Sequence, residues 1–425
     1  MDVATRGGLT AERTARRPMR MFAAAVLVVL LSGAGASIIP DYYTVSRALL
    51  VVIVMLCLIA TRFAPLRAVS RDLWLTLLAG LALVSALWSS MPGQAFSMSA
   101  TFVATILAGG VLATAGDTRR VLRMTALVLG VLSVCSLLML VVAPSEAISA
   151  IGRFSGIFAW NSDLGLTAAA GFVTALVTSF GARRPLAWLA LAAGQVVVLW
   201  MAQSATALAG AAAAGVIIIL LAPRGAISWF VRTVLALAVA AGIVWQFGQA
   251  ALSPLEALGK DATLTGRTAI WQLLLSNQPT TWFGTGVGAF WGDLNNVAPI
   301  VGALGFNPGH PHSGYIQVMQ DLGWVGLVVV VLSIATTIYV LFSRRHGVEK
   351  AALVGLLALF IVANIANSYL LTPHLQLALY AFIAARARLR RDQSQCDESS
   401  VNGLHRDRYG GRSSYRRLAV KPDGV

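Results

Sequence analysis

Leu322-Gly323-Trp324-Val325-Gly326-Leu327-Val328-Val329-Val330-Val331-Leu332-Ser333-Ile334-Ala335-Thr336-Thr337-Ile338-Tyr339-Val340-Leu341-Phe342 contains no charged residue. About 20 predominantly apolar residues are enough for a helix to cross the hydrocarbon core of a bilayer. In lipid, a helix satisfies the backbone polar groups of such a run within itself. A membrane barrel would instead show segments of about ten residues with alternating polarity. Further runs of the helical kind are Met21–Ile39, Val45–Thr61, Leu73–Ser89, Phe96–Ala115, Val121–Val142, Leu164–Phe180, Leu186–Ala202, Ala205–Ala222, Val231–Phe247, Ala351–Ile365 and Leu370–Ala385. The chain of 425 residues is 57% hydrophobic and 12% charged. Soluble domains average about 45–50% apolar and about 25% charged, so soluble, disordered and collagen-like classes are excluded. The expected fold is all-α: a polytopic integral membrane protein with about 12 transmembrane helices and one large extracytoplasmic loop.

The net charge of +15 tests this topology. With the N-terminus in the cytoplasm, only Arg47, Arg153, Lys260 and Arg267 of the 32 Lys and Arg residues fall outside. Such a bias follows the positive-inside rule, and a missed or invented span would scramble it. The basic surplus therefore reports topology and not nucleic-acid binding. Residues 1–20 are expected to form a cytoplasmic tail, and 21–247 spans one to nine. Residues 248–321 form the large outer loop, 322–385 spans ten to twelve, and 386–425 a basic, disordered cytoplasmic tail. The N-terminus resembles a signal peptide, but its removal would leave the topology unpaired, so an uncleaved first span is expected. Cys57, Cys135 and Cys396 have no metal spacing and no outer position, so no structural disulfide is expected.

The chemistry is expected in the outer loop, since structureless loops beyond about 12–15 residues are uncommon unless functional. Thr265-Gly266-Arg267-Thr268-Ala269-Ile270-Trp271 opens a short helix that ends before Pro279. Ile270, Trp271, Leu274 and Leu275 could rest on the membrane surface, with Arg267 either meeting an anion or snorkelling to the lipid headgroups. Phe283-Gly284-Thr285-Gly286-Val287-Gly288-Ala289-Phe290-Trp291 is not a dinucleotide fingerprint, because no strand–helix unit surrounds it; a tight re-entrant turn is expected. His310-Pro311-His312-Ser313-Gly314-Tyr315 offers a general base near neutral pH or two hydrogen-bonded loop histidines. No carboxylate–histidine cluster accompanies it, so no metal is expected. Arg153-Phe154-Ser155-Gly156-Ile157-Phe158, followed by Asn161-Ser162-Asp163-Leu164-Gly165, is a second polar outer segment. Gln203-Ser204-Ala205-Thr206 is a weaker one, equally readable as a capping turn.

Taken in order, these motifs resemble the O-antigen ligase and exopolysaccharide (Wzy-like) polymerase superfamily, over roughly Trp74 to Ala385. The glycine run ending Ala289-Phe290-Trp291 is closer to the exopolysaccharide-polymerase branch. Ser313 stands where the family often has Asn, Asn161-Ser162 where it often has Lys-Asn, and Asn367 where a Glu is frequent.

The resemblance implies a membrane glycosyltransferase acting on glycan carried by undecaprenyl pyrophosphate at the outer face of the bacterial inner membrane. Both termini would be cytoplasmic. Arg267 and Arg153 would bind the pyrophosphate bidentately. His312 would be the base, with His310 as its orienter or substitute. Trp271, Tyr315, Asn161 and Ser204 would line the substrate site. The reaction would be metal-independent and inverting, without a cofactor, and the partners would be the lipid-linked glycan and the bilayer. A chain-length regulator stays open as a further partner, and no nucleic acid is expected. The same family implies, as an alternative to polymerisation, a ligase moving a finished glycan to another acceptor. A transporter or flippase is disfavoured, since such proteins place ionisable groups at mid-membrane and show repeated halves.

Overall fold

The computed structural model describes residues 17–222, 267–277, 281–343 and 347–389. Its helices are α1 (Arg17–Ser32), α2 (Tyr42–Ala60), α3 (Ala64–Val69), α4 (Leu73–Val84), α5 (Pro92–Ala115), α6 (Thr118–Val142) and α7 (Asn161–Ser179). They continue as α8 (Pro185–Ala202), α9 (Ala205–Leu221), α10 (Arg267–Asn277), α11 (Leu294–Leu304), α12 (Gly314–Phe342), α13 (Val348–Ala363) and α14 (375–389). Among the described residues there is no strand, only an isolated bridge between Ile148 and Phe154. Every described apolar run is helical over most of its length, while Val231–Phe247 lies outside the described residues. Helices α2, α5, α6, α7, α8 and α12 are each long and apolar enough to cross a membrane. The all-α polytopic class is as expected.

Two ends differ from the runs. The first helix stops at Ser32 because Gly33 and Gly35 turn the chain at φ 82° and 98°. The last helix begins at 375, not at Leu370. Pro373 disfavours helix in the residue before it. The irregular stretch ahead of the helix is instead buried against protein: Asn364, Asn367, Ser368 and His374 are all under a tenth exposed. Non-helical backbone at membrane depth is tolerated in that setting.

Helix α7 is the hub, packed against α6, α8, α9 and α13. Its Ala168-Ala169-Ala170-Gly171 stretch is fully covered, since small residues let helices approach closely where lipid offers no hydrophobic drive. A Cβ on Gly171 would come within 2.7 Å of Gln195 Oε1 in α8. Gln195 also accepts a hydrogen bond from Ser133 of α6 at 2.9 Å, joining three helices through one amide.

Helix α12 is two helical pieces joined at Gly323, where φ is 68°. A Cβ there would collide with the carbonyls of Thr281 and Trp282. Those carbonyls accept the freed amides of Trp324 (3.3 Å) and Val325 (3.1 Å). In return, Thr285 and Gly286 donate to the carbonyls of Gln320 (3.0 Å) and Asp321 (2.9 Å). The Gly288 amide donates to Asp321 Oδ2 at 3.1 Å. Thus the glycine run is a turn threaded into the break of α12, and each piece's orphaned groups are satisfied by the other chain segment.

The bundle has two distinct ends. At one, Arg388 pairs with the buried Asp72 at 3.0 Å, Arg386 donates to Thr118, and Arg119 meets Glu349 at 3.5 Å. At the other, the 33–41 turn bonds to 156–157, Asn161 to Ala202, and Gly314 to Asn364. Arg47, Arg153 and Arg267 all lie at or toward this second end, called here the loop face.

Candidate active site

The apolar face of helix α10 packs in part on protein. Ile270 and Leu274 are buried in a small core of their own with Phe290 and Ile300, the latter from α11. Trp271 and Trp291 pack against this core, and Leu275 stays exposed. Asp293 starts α11 by accepting the Asn295 amide at 3.0 Å. The sequence reading had no helix here. This capped α10–α11 layer positions the residues of interest.

From the inner face of α10, the Trp271 indole donates to the Pro311 carbonyl at 2.8 Å. That bond holds the start of α10 beside the His310-Pro311-His312 turn. The His312 amide in turn donates to His310 Nδ1 at 3.2 Å, so a neutral His310 carries its proton on Nε2. The two rings lie with centroids 3.9 Å apart. His312 has a φ of 53°, a left-handed backbone that is uncommon outside glycine and is often retained at functional sites.

Arg267 is the electrostatic centre of this group. Desolvation lowers its pKa and the positive charge of Arg153 lowers it further, with Tyr369 among its titratable neighbours. His310, exposed at its edge, is pulled below its ordinary value by partial desolvation against the neighbouring protein, helped by Arg267. His312 is held down to about 3, first by burial, then by His310 and Arg267. Both histidines are therefore neutral at neutral pH and able to accept a proton. Arg153 donates to the Gln203 carbonyl at 3.3 Å from across the bundle end. Arg267, Arg153, His310 and His312 thus occupy one neighbourhood.

The other anticipated lining residues are engaged structurally. Asn161 is buried, its amide donating to Ala202 at 2.8 Å. Ser204 starts α9 without a side-chain cap bond; instead its Cβ would stand 2.9 Å from a Cβ on Gly165. Tyr315 donates to the Ile361 carbonyl at 3.3 Å. Trp271 alone of these four reaches into the Arg–His group directly. Ser313 is buried at the start of α12, and Asn367 donates to Ala363 at 3.3 Å.

Tyr369 and His374 escaped the sequence reading, and Asp163 was read only as part of a polar segment. The Tyr369 hydroxyl donates to Asp163 Oδ1 at 2.7 Å. Its ring stacks on His374 at a centroid distance of 4.0 Å, and His374 Nε2 stands 3.7 Å from the same oxygen. The polar interruption Ser368–His374 in an otherwise apolar run was the available signal.

This arrangement defines a class: a helical membrane protein with guanidinium groups, one half-buried and one exposed, and neutral imidazoles gathered at one end of the bundle. Comparison narrows it. Residues 170–331 match the family model described as O-Antigen ligase. The chain is also 29% identical over 261 residues to "Exopolysaccharide production protein ExoQ" of Rhizobium meliloti (strain 1021), covering 56% of this chain and 59% of that relative. The match thus spans about three fifths of the relative's length. Both findings support the O-antigen ligase and exopolysaccharide polymerase family, and with the apolar helices they indicate a bacterial membrane protein.

Proposed function

We propose that this chain is a metal-independent, inverting glycosyltransferase that polymerises undecaprenyl-pyrophosphate-linked oligosaccharide repeats at the outer face of the cytoplasmic membrane. The observation that carries the reading is the Trp271–Pro311 bond, which brings the guanidinium of Arg267 to the His310–His312 turn. An acceptor hydroxyl gives its proton to His312 while its oxygen attacks the anomeric carbon. The bond from that carbon to the pyrophosphate breaks, and the electron pair leaves with the lipid pyrophosphate. Arg267 and Arg153 stabilise the charge on the departing group. A pyrophosphate beside Arg267 offsets the positive field that depresses His312, so substrate binding strengthens the base. Among the described residues no carboxylate acts on Arg267, His310 or His312, unlike the paired carboxylates of hydrolytic glycosidase chemistry. The relative's name, which speaks of exopolysaccharide production, favours polymerisation over ligation.

The test is complementation of a deletion strain with His312→Ala and Arg267→Ala, with membrane levels checked. Both variants are expected to be present but to make no long polysaccharide. Full-length polymer from both would overturn the assignment. Chain-length analysis of the surface glycan separates a polymerase from a ligase.

A further inference from the structure

Arg47 is the loop-face arginine that no motif accounts for. It lies on α2 and lines a small, partly open cleft between the ends of α1 and α2 and the residues Asp163, Pro373 and His374. Several polar groups there lack partners. Arg47 Nε is fully covered and makes no hydrogen bond. His374 is 7% exposed, and its Nδ1 accepts the Gln376 amide at 3.2 Å. The neutral ring therefore carries its proton on Nε2. That N–H makes no hydrogen bond either. Buried polar groups are almost always bonded, so two idle donors in one cleft require an explanation. Asp163, whose Oδ1 already accepts from Tyr369, adds a carboxylate to the same wall. Tyr43 stands at the mouth, half exposed, its ring edge-on to Tyr42 at 5.6 Å.

We propose that this cleft is a glycan subsite that takes the hydroxyl-bearing edge of a neutral sugar, with Arg47 and His374 donating to its hydroxyl oxygens and Asp163 accepting from a hydroxyl. A hydroxyl both donates and accepts, so it can satisfy two donors and a carboxylate together. A phosphate offers only acceptors at neutral pH and would face Asp163 with like charge. The aromatic face of Tyr43 suits the apolar face of a pyranose. Tyr369, whose hydroxyl bonds the cleft-lining Asp163, is also an electrostatic neighbour of Arg267. The subsite thus adjoins the pyrophosphate group and rests on the glycosyltransferase reading for its role in turnover.

The experiment measures calorimetric binding of the repeat oligosaccharide, released from the host's own surface polysaccharide, to the full chain in nanodiscs. Arg47→Gln and His374→Gln are compared with wild type, and inorganic pyrophosphate is titrated in parallel. Each variant is expected to weaken oligosaccharide binding about tenfold, as for loss of one hydrogen bond to a buried or charged group. Pyrophosphate binding is expected to be unchanged. In turnover, KM for the oligosaccharide rises and kcat changes little. Unchanged oligosaccharide affinity in both variants, or loss of pyrophosphate binding instead, overturns the proposal. A variant that is absent from the membrane is replaced by Arg47→Lys, which keeps the charge but is expected to bind the sugar more weakly than wild type. Because binding is read without catalysis, a fully active His312→Ala would sink the catalytic reading while leaving the subsite decidable.

Discussion

The indole of Trp271 and the carbonyl of Pro311 lie 2.8 Å apart across 40 residues of chain. Through this bond α10 sets the distance between Arg267 at its start and the histidine turn. Trp271→Phe keeps the ring in the α10–α11 core and removes only the donor. A lost hydrogen bond of this kind costs about 1 kcal/mol in stability. Membrane levels should stay near normal, while polymer output falls more than the small drop in thermal midpoint explains.

Arg267 should tolerate no substitution. Arg267→Ala is expected to lower turnover by about 10²–10³, the usual cost of removing a donor aimed at developing charge. Arg267→Lys should recover only part of it, because an ammonium cannot grip a pyrophosphate bidentately. Initial rates of polymer formation on defined lipid-linked substrate measure both. Full activity in the lysine variant would show that charge alone suffices.

For His312→Ala a loss of about 10²–10⁴ is expected, and less for His310→Ala. The pH dependence distinguishes them further. His312 in the free protein stays unprotonated until about pH 3. Activity per substrate encounter, kcat/KM, should therefore show no loss as pH falls through 6.5. Bound pyrophosphate raises the histidine, so the acid limb of kcat should lie at higher pH than that of kcat/KM. Stability follows the same sign. Between about pH 6.5 and 3 the unfolded chain binds this proton and the folded one does not, so this site loses stability as pH falls through that window.

Gly323→Ala should be among the most damaging single-methyl changes in the membrane region. It forces a Cβ into the Thr281 and Trp282 carbonyls at a φ of 68°. Gly302→Ala in α11 meets nothing within 4 Å and should be neutral or stabilising by up to about 1 kcal/mol. Thermal inactivation in detergent compares the pair; equal behaviour would refute the interlock.

Reporter fusions test the orientation. A fusion after Gln249 should report the outer side, and one after Arg345 the cytoplasm. A cytoplasmic signal from the first would remove the Arg–His group from the outer face on which the proposed transfer depends.

Much of the fold was legible because lipid imposes one rule on the backbone. An uncharged run of 20 residues has to be helical, and the arginines at its ends have to choose a side. That is why the runs from Val45–Thr61 to Ala205–Ala222 and Leu322–Phe342 match helices closely. The run starting at Leu370 failed because Pro373 and buried polar groups made an irregular stretch cheaper against protein than composition suggests. Within the site, Arg267, Arg153, His310 and His312 could be read because their residue types suit charge and proton transfer wherever they stand. Asn161 and Tyr315 were read with them from the same motifs, yet their polar groups bond carbonyls of neighbouring helices, which spacing along the chain does not reveal.

By itself the sequence determined the helical membrane class, the two-sided charge distribution and the chemical types available at the loop face, since each depends only on local composition. Tertiary structure alone decided that α10 packs on α11, and that the glycine run threads into the break at Gly323. It alone brought Asp163, Tyr369 and His374 together, with Arg47 lining the same cleft. Those outcomes depend on which segments distant in the chain satisfy one another's polar groups, and that choice is made only when the helices pack.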